Sequence, residues 1–267
     1  ATYTFRPAVE ADIPLVVAMD EYEAKSFLLS AVHNETIWRY DFLGRDAKSA
    51  LAIETLMVIN QSDEVVGYLN ISKNLNSKTA INIWRWVIGE NANYIETFLD
   101  ILRALKHKYQ TENEAIIALD IPSTINPVIV KMMKRQRGMY TSGRMYAWYL
   151  RIPDHVKFIK AISPVLERRL IGSPARAYTG KLRIDFYQKE DLLIEFQSGK
   201  ITNVQMTSEK GKADAGFPFN TWLNVVFGAN TESEINQVLP DSMTSAEASV
   251  LLEILFPKKQ SSSFAIA

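Results

Sequence analysis

The sequence predicts an α/β fold, a mixed sheet flanked by helices, followed by a smaller α+β domain. Strand-like and helix-like periodicities alternate through the first part of the chain, which is typical of helices packed on a sheet. Beyond Arg151-Ile152-Pro153-Asp154 the pattern changes to a helix, a strand meander and further helices. We therefore expect two domains, residues 1–153 and residues 154–267.

The first domain opens with a short predicted strand at residues 3–6. Asp12 has the character of a helix N-cap, and Pro14 suits the first turn of the helix that follows. Residues 51–60 and 65–71 are strand-like and flank turn chemistry at 61–64. We expect these two strands to pair as a hairpin.

Residues 80–92 form the stretch around which the first domain is arranged. The pattern predicts a strand ending in a turn, followed by an amphipathic helix over 93–109. Because strand side chains alternate, Trp84 and Trp86 are expected on one face, next to a helix N-terminus that suits an anion or carbonyl. The other interpretation is a buried strand capped by a crossover helix.

The remaining elements follow in order. Residues 115–121 are almost continuously apolar, which is typical of a central strand covered on both faces. Asn126-Pro127 begins another helix that Gly138 closes, and residues 140–152 alternate as a further strand. In the second domain we expect a helix over 156–170, strands at 180–187, 192–196 and 200–206, and helices from 232 and over 246–255.

Composition excludes several classes of function. Lys+Arg and Asp+Glu both number 30, so no net charge draws the chain to nucleic acid or an anionic membrane. No cysteine is present, which excludes disulfides and thiolate nucleophiles and fits the cytoplasm. No run of 18 apolar residues and no signal-peptide pattern appears, so we expect no membrane span. His33, His107 and His155 show no ligand spacing, and we propose no metal.

Several stretches resemble the GNAT superfamily of N-acetyltransferases. Residues 6–14 resemble its opening strand and first helix, and residues 64–68 (Glu-Val-Val-Gly-Tyr) resemble its third strand. Asn126 with Gly138-Met139 is similar to its asparagine-to-glycine-aromatic helix. Trp222-Leu223 through Phe227-Gly228, with residues 232–235 and 251–257, resembles the sterol-carrier-like domain that follows GNAT domains in the enhanced intracellular survival type.

The resemblance implies transfer of an acetyl group from acetyl-CoA to a small amine. The pantetheine would lie between the strand at 80–92 and the strand at 115–121, and a backbone N–H near Trp86–Ile88 would meet the developing oxyanion. The residues expected to bind the cofactor are therefore Trp86, Val87, Ile88, Gly89, Asn91 and Asn126.

The catalytic candidates are Glu90 and Tyr140. Either Glu90 or a water would serve as the base, and Tyr140 would stand in place of the tyrosine acid that the family carries on its later helix. The family's pyrophosphate loop has two glycines, whereas this chain has Gly89 alone, followed by the anionic Glu90. Glu54 is the other acid expected near the cleft. Each of these carboxylates has surface exposure as its alternative interpretation.

Other side chains are candidates for binding. Trp38, Tyr40 and Trp84 are expected to line an amine or acyl pocket, with core packing as the alternative. A basic cluster could contact CoA phosphates or simply be solvated at a helix end: Lys131, Lys134, Arg135, Arg137 and Arg144. Aromatic residues of the second domain could line an apolar cavity or form its core: Phe217, Phe219, Trp222 and Phe227.

Two functions follow from these observations. The first is an acetyl-CoA-dependent N-acetyltransferase acting on a small-molecule amine. The second is a non-catalytic binding or assembly protein whose degenerate GNAT domain has lost CoA binding. Self-association into a homo-oligomer is left open by the sequence.

Overall fold

The computed structural model describes residues 2–122, 125–136, 150–209, 211–218 and 220–262. The chain divides into two compact units. Unit 1 comprises Ala1–Tyr146 with Ser262–Ala267, and unit 2 comprises Ala147–Ser261. Gly138 and most of the strand predicted at 140–152 lie outside the described residues.

Unit 1 contains a five-stranded sheet in the order β1-β2-β3-β4-β5. The first four strands pair antiparallel, and β5 runs parallel to β4. The hairpin of β2 and β3 is confirmed, with Ile53 opposite Ser72 at its open end. The strands are β1 (Tyr3–Pro7), β2 (Ile53–Asn60), β3 (Val65–Ser72), β4 (Ala80–Ile88) and β5 (Ala118–Asp120).

Helices cover both faces of this sheet. The first face packs under Ile13 and Val16 of α1 and under Trp38 of α2. The second face packs under Phe98 of α3 and Ile129 of α4. The helices are α1 (Ile13–Ala24), α2 (Glu35–Arg39), α3 (Tyr94–Glu112) and α4 (Pro127–Arg135).

The expectation that Trp84 and Trp86 share one face of β4 is wrong. The register of β3 against β4 shifts by one residue at Trp84, which is a β-bulge. A bulge reverses the alternation of side chains beyond it. Trp86 and Ile88 therefore pack with Ile83 toward α3, whereas Trp84 and Val87 pack in the cluster beneath α1.

β5 is shorter and more exposed than the sequence suggested. It pairs with β4 only opposite Ala80–Asn82, and the neighbouring Ile117 is 78% exposed. Among the described strands β5 pairs with β4 alone, and Ala118 and Asp120 are exposed, so these positions lack the burial expected of a strand covered on both faces. Beyond Asn82, β4 does not pair with β5.

Two smaller expectations also change. The predicted amphipathic helix at 93–109 is confirmed as α3, but it extends to Glu112, and two of its apolar side chains are exposed, Ile95 (73%) and Leu99. Asp12 precedes α1 without capping it. Its carboxylate instead accepts from the Arg6 guanidinium and from the Val9 N–H (2.8 Å).

Gly67 of β3 lies where two backbones approach closely. A Cβ atom at this position would overlap the Val87 carbonyl oxygen of β4. We expect Gly67→Ala to lower the free energy of unfolding by about 1–3 kcal/mol, because the pair of strands must separate to admit the methyl group. Urea unfolding of the variant measures this loss.

Gly172→Ala is the matched control. At Gly172, after the first helix of unit 2, an added Cβ meets only ordinary contacts, the nearest at 3.6 Å from the Arg168 carbonyl oxygen. Equal stability losses in the two variants would show that close approach at Gly67 is not what the glycine provides.

Unit 2 contains a second five-stranded sheet, in the order β10-β9-β6-β7-β8. The predicted meander is confirmed as β6 (Gly180–Asp185), β7 (Asp191–Gln197) and β8 (Lys200–Thr207). The short strands are β9 (Ala215–Gly216) and β10 (Met243–Thr244). The helices are α5 (His155–Ile171), α6 (Thr221–Val226), α7 (Glu232–Val238) and α8 (Ala246–Leu255).

The described aromatic residues singled out in unit 2 belong to its core. Phe217 and Trp222 are buried with their ring centroids 5.4 Å apart, and Phe227 packs at the core margin. Phe219 lies outside the described residues. Core packing is therefore the role that the contacts of these side chains show.

Candidate functional site

The turn predicted to hold the cofactor phosphates is closed by its own hydrogen bonds. The Gly89 N–H donates to the Val66 carbonyl (2.9 Å), which continues the strand ladder, and the Asn91 amide donates to the Val65 carbonyl (3.1 Å). Glu90 is exposed in this turn. The other predicted catalytic residue, Tyr140, lies outside the described residues.

The predicted aromatic walls do not meet around one cavity. Trp38 is buried edge-on to Tyr68 on one face of the sheet, at a centroid distance of 5.6 Å. On the other face Trp86 stacks on Phe98 of α3, also at a centroid distance of 5.6 Å. Tyr40 is exposed beneath the Arg45 guanidinium. The buried tryptophans therefore serve as core, which was the alternative interpretation.

A group of mostly buried polar side chains lies beside β4 instead. We call it the polar cluster. It draws on α1, the loop before α2, β3, β4, the start of α3 and the N-cap of α4: Asp20, Glu23, His33, Tyr68, Arg85, Tyr94 and Asn126.

The two acids of the polar cluster arise from the spacing of α1. Its buried stripe begins with Ile13 and Val16 and continues with Asp20 and Glu23. These positions follow the i, i+3, i+7, i+10 spacing of a single helix face. Two carboxylates on an otherwise apolar stripe were the signal that the sequence offered for this site, because buried acids need dedicated partners.

Asp20 lies at the cationic end of the polar cluster. Its carboxylate accepts hydrogen bonds from the Tyr68 hydroxyl and the Arg85 guanidinium. Arg85 also lies over the Trp38 ring (5.5 Å to the centroid), and its Nη1 is 3.3 Å from Nδ1 of His33. Burial, reinforced by the Arg85 charge, lowers the pKa of His33 to about 4, so this imidazole is neutral at pH 7.

Glu23 lies at the other end and is 95% covered. Its carboxylate accepts from the Tyr94 hydroxyl (2.8 Å) and from the Asn126 amide (2.9 Å). Burial raises the pKa of Glu23 to about 7, against the opposing pull of these two hydrogen bonds. Asn126 is held in place because its own oxygen accepts from the Val128 N–H and so caps α4.

Tyr94 joins Glu23 to the open edge of β4. Its hydroxyl oxygen lies 3.2 Å from the Ile88 nitrogen, whose N–H it accepts, and 3.2 Å from the Trp86 carbonyl oxygen. Helices α1, α3 and α4 thus each contribute one side chain to the region where β4 has left β5. This is the edge at which the sequence predicted the thioester.

A small cavity of about 20 Å³ opens onto both ends of the polar cluster. The acids Asp20 and Glu23 line it together with His33, Arg85, Phe27 and Ser262. Its volume is enough for about one water molecule. A substrate must therefore widen this cavity or approach its mouth with a single small group.

The remaining predicted features take the following positions. Glu54 is half-buried on β2, on the face that carries Tyr109 of α3. Of the basic cluster, Lys131, Lys134 and Arg135 are exposed on α4, and Arg137 and Arg144 lie outside the described residues.

Metal-binding clusters and membrane-spanning helices are absent from the described residues. Across the described ranges, no three His, Asp or Glu side chains converge in a way that could hold a metal ion. None of the helices in those ranges has both the length and the apolar character that crossing a bilayer requires.

Comparison with solved structures decides the fold. A conserved protein of unknown function from Enterococcus faecalis V583, described as a probable N-acyltransferase, aligns over 99% of this chain with a TM-score of 0.54. The two chains share a fold. Their identity is 10%, and this chain spans 62% of that protein's length. The predicted α/β fold, a mixed sheet flanked by helices, is thereby confirmed.

Other structures match unit-sized portions of the chain. A possible acetyltransferase from Clostridium difficile 630 aligns over 57% of this chain and 99% of its own, at 13% identity and a TM-score of 0.41. A ribosomal-protein-alanine N-acetyltransferase from Brucella melitensis covers 56% of this chain and 99% of its own, at 12% identity and a TM-score of 0.37. No protein-family model matches the chain, and no curated protein matches it.

The polar cluster has the chemistry of a proton-transfer site. A carboxylate whose pKa is about 7 can hold or release a proton at neutral pH. It lies one hydroxyl away from a strand-edge N–H, the kind of donor that stabilises a negative oxygen. The arrangement therefore suits deprotonation of a nucleophile beside a polarised carbonyl.

Proposed function

We propose that unit 1 is an N-acyltransferase that moves an acetyl group from acetyl-CoA to a small primary amine. One observation carries the proposal: the Glu23 carboxylate, whose pKa is about 7, is connected to the β4 edge through a single bridging group, the Tyr94 hydroxyl. Perturbed acids of this kind concentrate at functional sites. The shared fold with a probable N-acyltransferase supports the same reading.

The donor set at the β4 edge suits a thioester carbonyl. The Ile88 N–H is a hydrogen-bond donor on this edge, and it is linked to Glu23 through the Tyr94 hydroxyl. The Ile88 N–H would hold the acyl end of acetyl-CoA, which when bound supplies an activated acetyl group. The turn at Gly89-Glu90 contributes less to the phosphate end, since the Gly89 N–H is already paired.

Glu23 performs the proton transfer in this proposal. An ammonium group must lose a proton before its nitrogen can attack the thioester carbonyl, and Glu23 accepts that proton. The C–N bond then forms, the C–S bond breaks, and CoA leaves as a thiolate that takes the second proton lost by the nitrogen. The Ile88 N–H donates to the carbonyl oxygen as negative charge develops on it. Asn126 keeps the Glu23 carboxylate oriented through its 2.9 Å hydrogen bond. We therefore assign to Glu23 the role first expected of Glu90, which is exposed in the turn.

Calorimetric titration with acetyl-CoA tests the donor assignment. We expect saturable binding with a dissociation constant below about 1 mM. Substitution of Ile88 with proline should weaken this binding. Proline removes the N–H that the donor needs. Ile88→Val keeps the N–H at the same position and is the matched control. A proline placed elsewhere, such as Val17→Pro, would be a poor control because it would break α1. Absence of binding at millimolar acetyl-CoA would refute the proposal.

A non-catalytic binding or assembly role is the second candidate. The observation that favours it is the self-satisfied state of the β4 edge, where the Tyr94 hydroxyl already accepts from the Ile88 N–H. The single glycine of the turn and the exposed Glu90 favour it as well. This candidate predicts that acetyl-CoA does not bind and that Glu23 variants change stability alone.

For unit 2 we propose a sterol-carrier-like domain that begins near residue 154. The support is its order of elements, a leading helix, a three-strand meander and a set of short helices. Its aromatic residues are packed into the core, so the proposal includes no apolar ligand for it. Expression of residues 154–261 alone would show whether this segment folds independently.

A further inference from the structure

The Tyr94 hydroxyl occupies the position along β4 that an extended ligand would take. Its oxygen accepts from the Ile88 N–H and lies 3.2 Å from the Trp86 carbonyl oxygen. An N–H and a C=O two residues apart on one strand edge are the groups to which an added strand or an amide-bearing ligand pairs. The Tyr94 hydroxyl oxygen lies within hydrogen-bond distance of both groups.

We infer that Tyr94 is an internal occupant of the donor-binding edge, and that a donor binds only by displacing its hydroxyl. The inference rests on the proposed function, because it assumes that the donor uses this edge. In this inference Tyr94 sets the affinity for the donor, because its hydroxyl competes with the donor for the same groups of β4.

The geometry also links displacement to Glu23. Tyr94 has a single hydroxyl proton, and the Glu23 carboxylate at 2.8 Å is a closer acceptor than the Trp86 carbonyl at 3.2 Å. When Glu23 is ionised, that proton is held by Glu23, and the Trp86 carbonyl is bound more weakly. When Glu23 is protonated it can donate to Tyr94, whose proton is then available to Trp86.

The charged and titratable groups facing Glu23 are few. Asp20 of α1 and Arg85 of β4 act on it through space, Tyr94 of α3 binds it directly, and α4 contributes the neutral Asn126. The hydroxyl that leaves the β4 edge keeps its bond to Glu23. Its displacement from the edge should therefore be easier above pH 7, where the hydroxyl proton is held by Glu23 and not by the Trp86 carbonyl. In wild-type protein, donor affinity should rise with pH.

Tyr94→Phe tests the inference by calorimetry with acetyl-CoA. The variant removes the oxygen that competes for the Ile88 N–H, so the donor no longer has to displace it. We expect affinity about tenfold tighter than in wild-type protein, the equivalent of one to two net hydrogen bonds. The rise of affinity with pH should disappear in the variant.

Tyr109→Phe is the matched control. Tyr109 is a buried tyrosine on the same helix whose hydroxyl has no hydrogen-bond partner in the described structure. Its removal should leave acetyl-CoA affinity within about twofold of wild type, because no competing contact is lost.

A measurement on wild-type protein covers the case in which Tyr94→Phe fails to fold. With tyrosine labelled at the ring carbon that bears the hydroxyl, the Tyr94 resonance should shift on saturation with acetyl-CoA and the Tyr109 resonance should not. An unshifted Tyr94 resonance at saturation, or equal affinity of wild type and Tyr94→Phe, would overturn the inference alone. Absence of binding to both proteins would overturn it together with the proposed function.

Discussion

Glu23→Gln should lower the rate of acetyl transfer about 10²- to 10⁴-fold and, above pH 7, raise the free energy of unfolding. The rate falls because glutamine cannot accept a proton, and general-base catalysis contributes about that factor. The fold should tolerate the change, since glutamine is isosteric and its oxygen can still accept from the Asn126 amide (2.9 Å in the wild type).

The gain in stability follows from the raised pKa of Glu23. Its ordinary value is 4.5 and its value in the folded protein is about 7, so between these pH values the unfolded state releases the proton first. Ionisation therefore favours the unfolded state as pH rises from about 4.5 to about 7. This difference in pKa lowers the free energy of unfolding of the wild-type protein by roughly 3 kcal/mol. The loss is absent at pH 4 and complete above pH 7.

Urea unfolding at pH 5 and pH 8 measures this effect. We expect the difference between Glu23→Gln and wild type to grow by about 1–3 kcal/mol between the two pH values. Glu21→Gln is the control, because Glu21 is exposed on the same helix. A pH-independent difference for Glu23→Gln would show that the carboxylate is not ionising in a buried site.

Arg85→Met is the second large effect, with an expected loss of about 3–5 kcal/mol of unfolding free energy. Arg85 is the cation that faces the buried Asp20 carboxylate, with only 15% of the Arg85 side chain and 7% of the Asp20 side chain exposed. Removing the guanidinium leaves that carboxylate buried without its charge partner. The loss is measured by chemical unfolding at pH 7.

The double variant Asp20→Asn/Arg85→Met separates charge from packing. It removes both charges, so we expect it to recover at least half of the loss. Arg103→Met is the surface control. Arg103 is 74% exposed beside Asp100, and its ion pair should contribute less than about 1 kcal/mol. A double variant as unstable as Arg85→Met would assign the loss to packing of the guanidinium against Trp38 and Tyr68.

The sequence predicted most of the fold because its patterns there were local. The hairpin of β2 and β3, the helix after β4 and the meander of unit 2 all follow from periodicity and turn chemistry. The face of Trp86 could not be predicted in this way, because a single bulge at Trp84 reverses every side chain beyond it. The apolar run at 115–121 likewise did not reveal how exposed the side chains of β5 are.

The sequence placed candidate residues on β4 and at Asn126 but did not point to the polar cluster beside them. The β4 edge and Asn126 were expected, and both lie at the polar cluster. Glu23 and Asp20 were not expected, although they continue the buried stripe of α1. Their partners, Arg85 and Tyr94, come from β4 and α3, and no local pattern in α1 specifies which distant residues will meet it.

The pH dependence of acetyl transfer tests the central claim most directly. Release of CoA from acetyl-CoA in the presence of a set of small primary amines is followed for wild type and Glu23→Gln between pH 5 and pH 9. We expect the wild-type rate to rise with pH and to reach half its maximum near pH 7, because the pKa of Glu23 is about 7. The rate of the variant should be low at every pH. Wild-type transfer with no inflection near pH 7, or a variant as fast as wild type, would contradict the central claim.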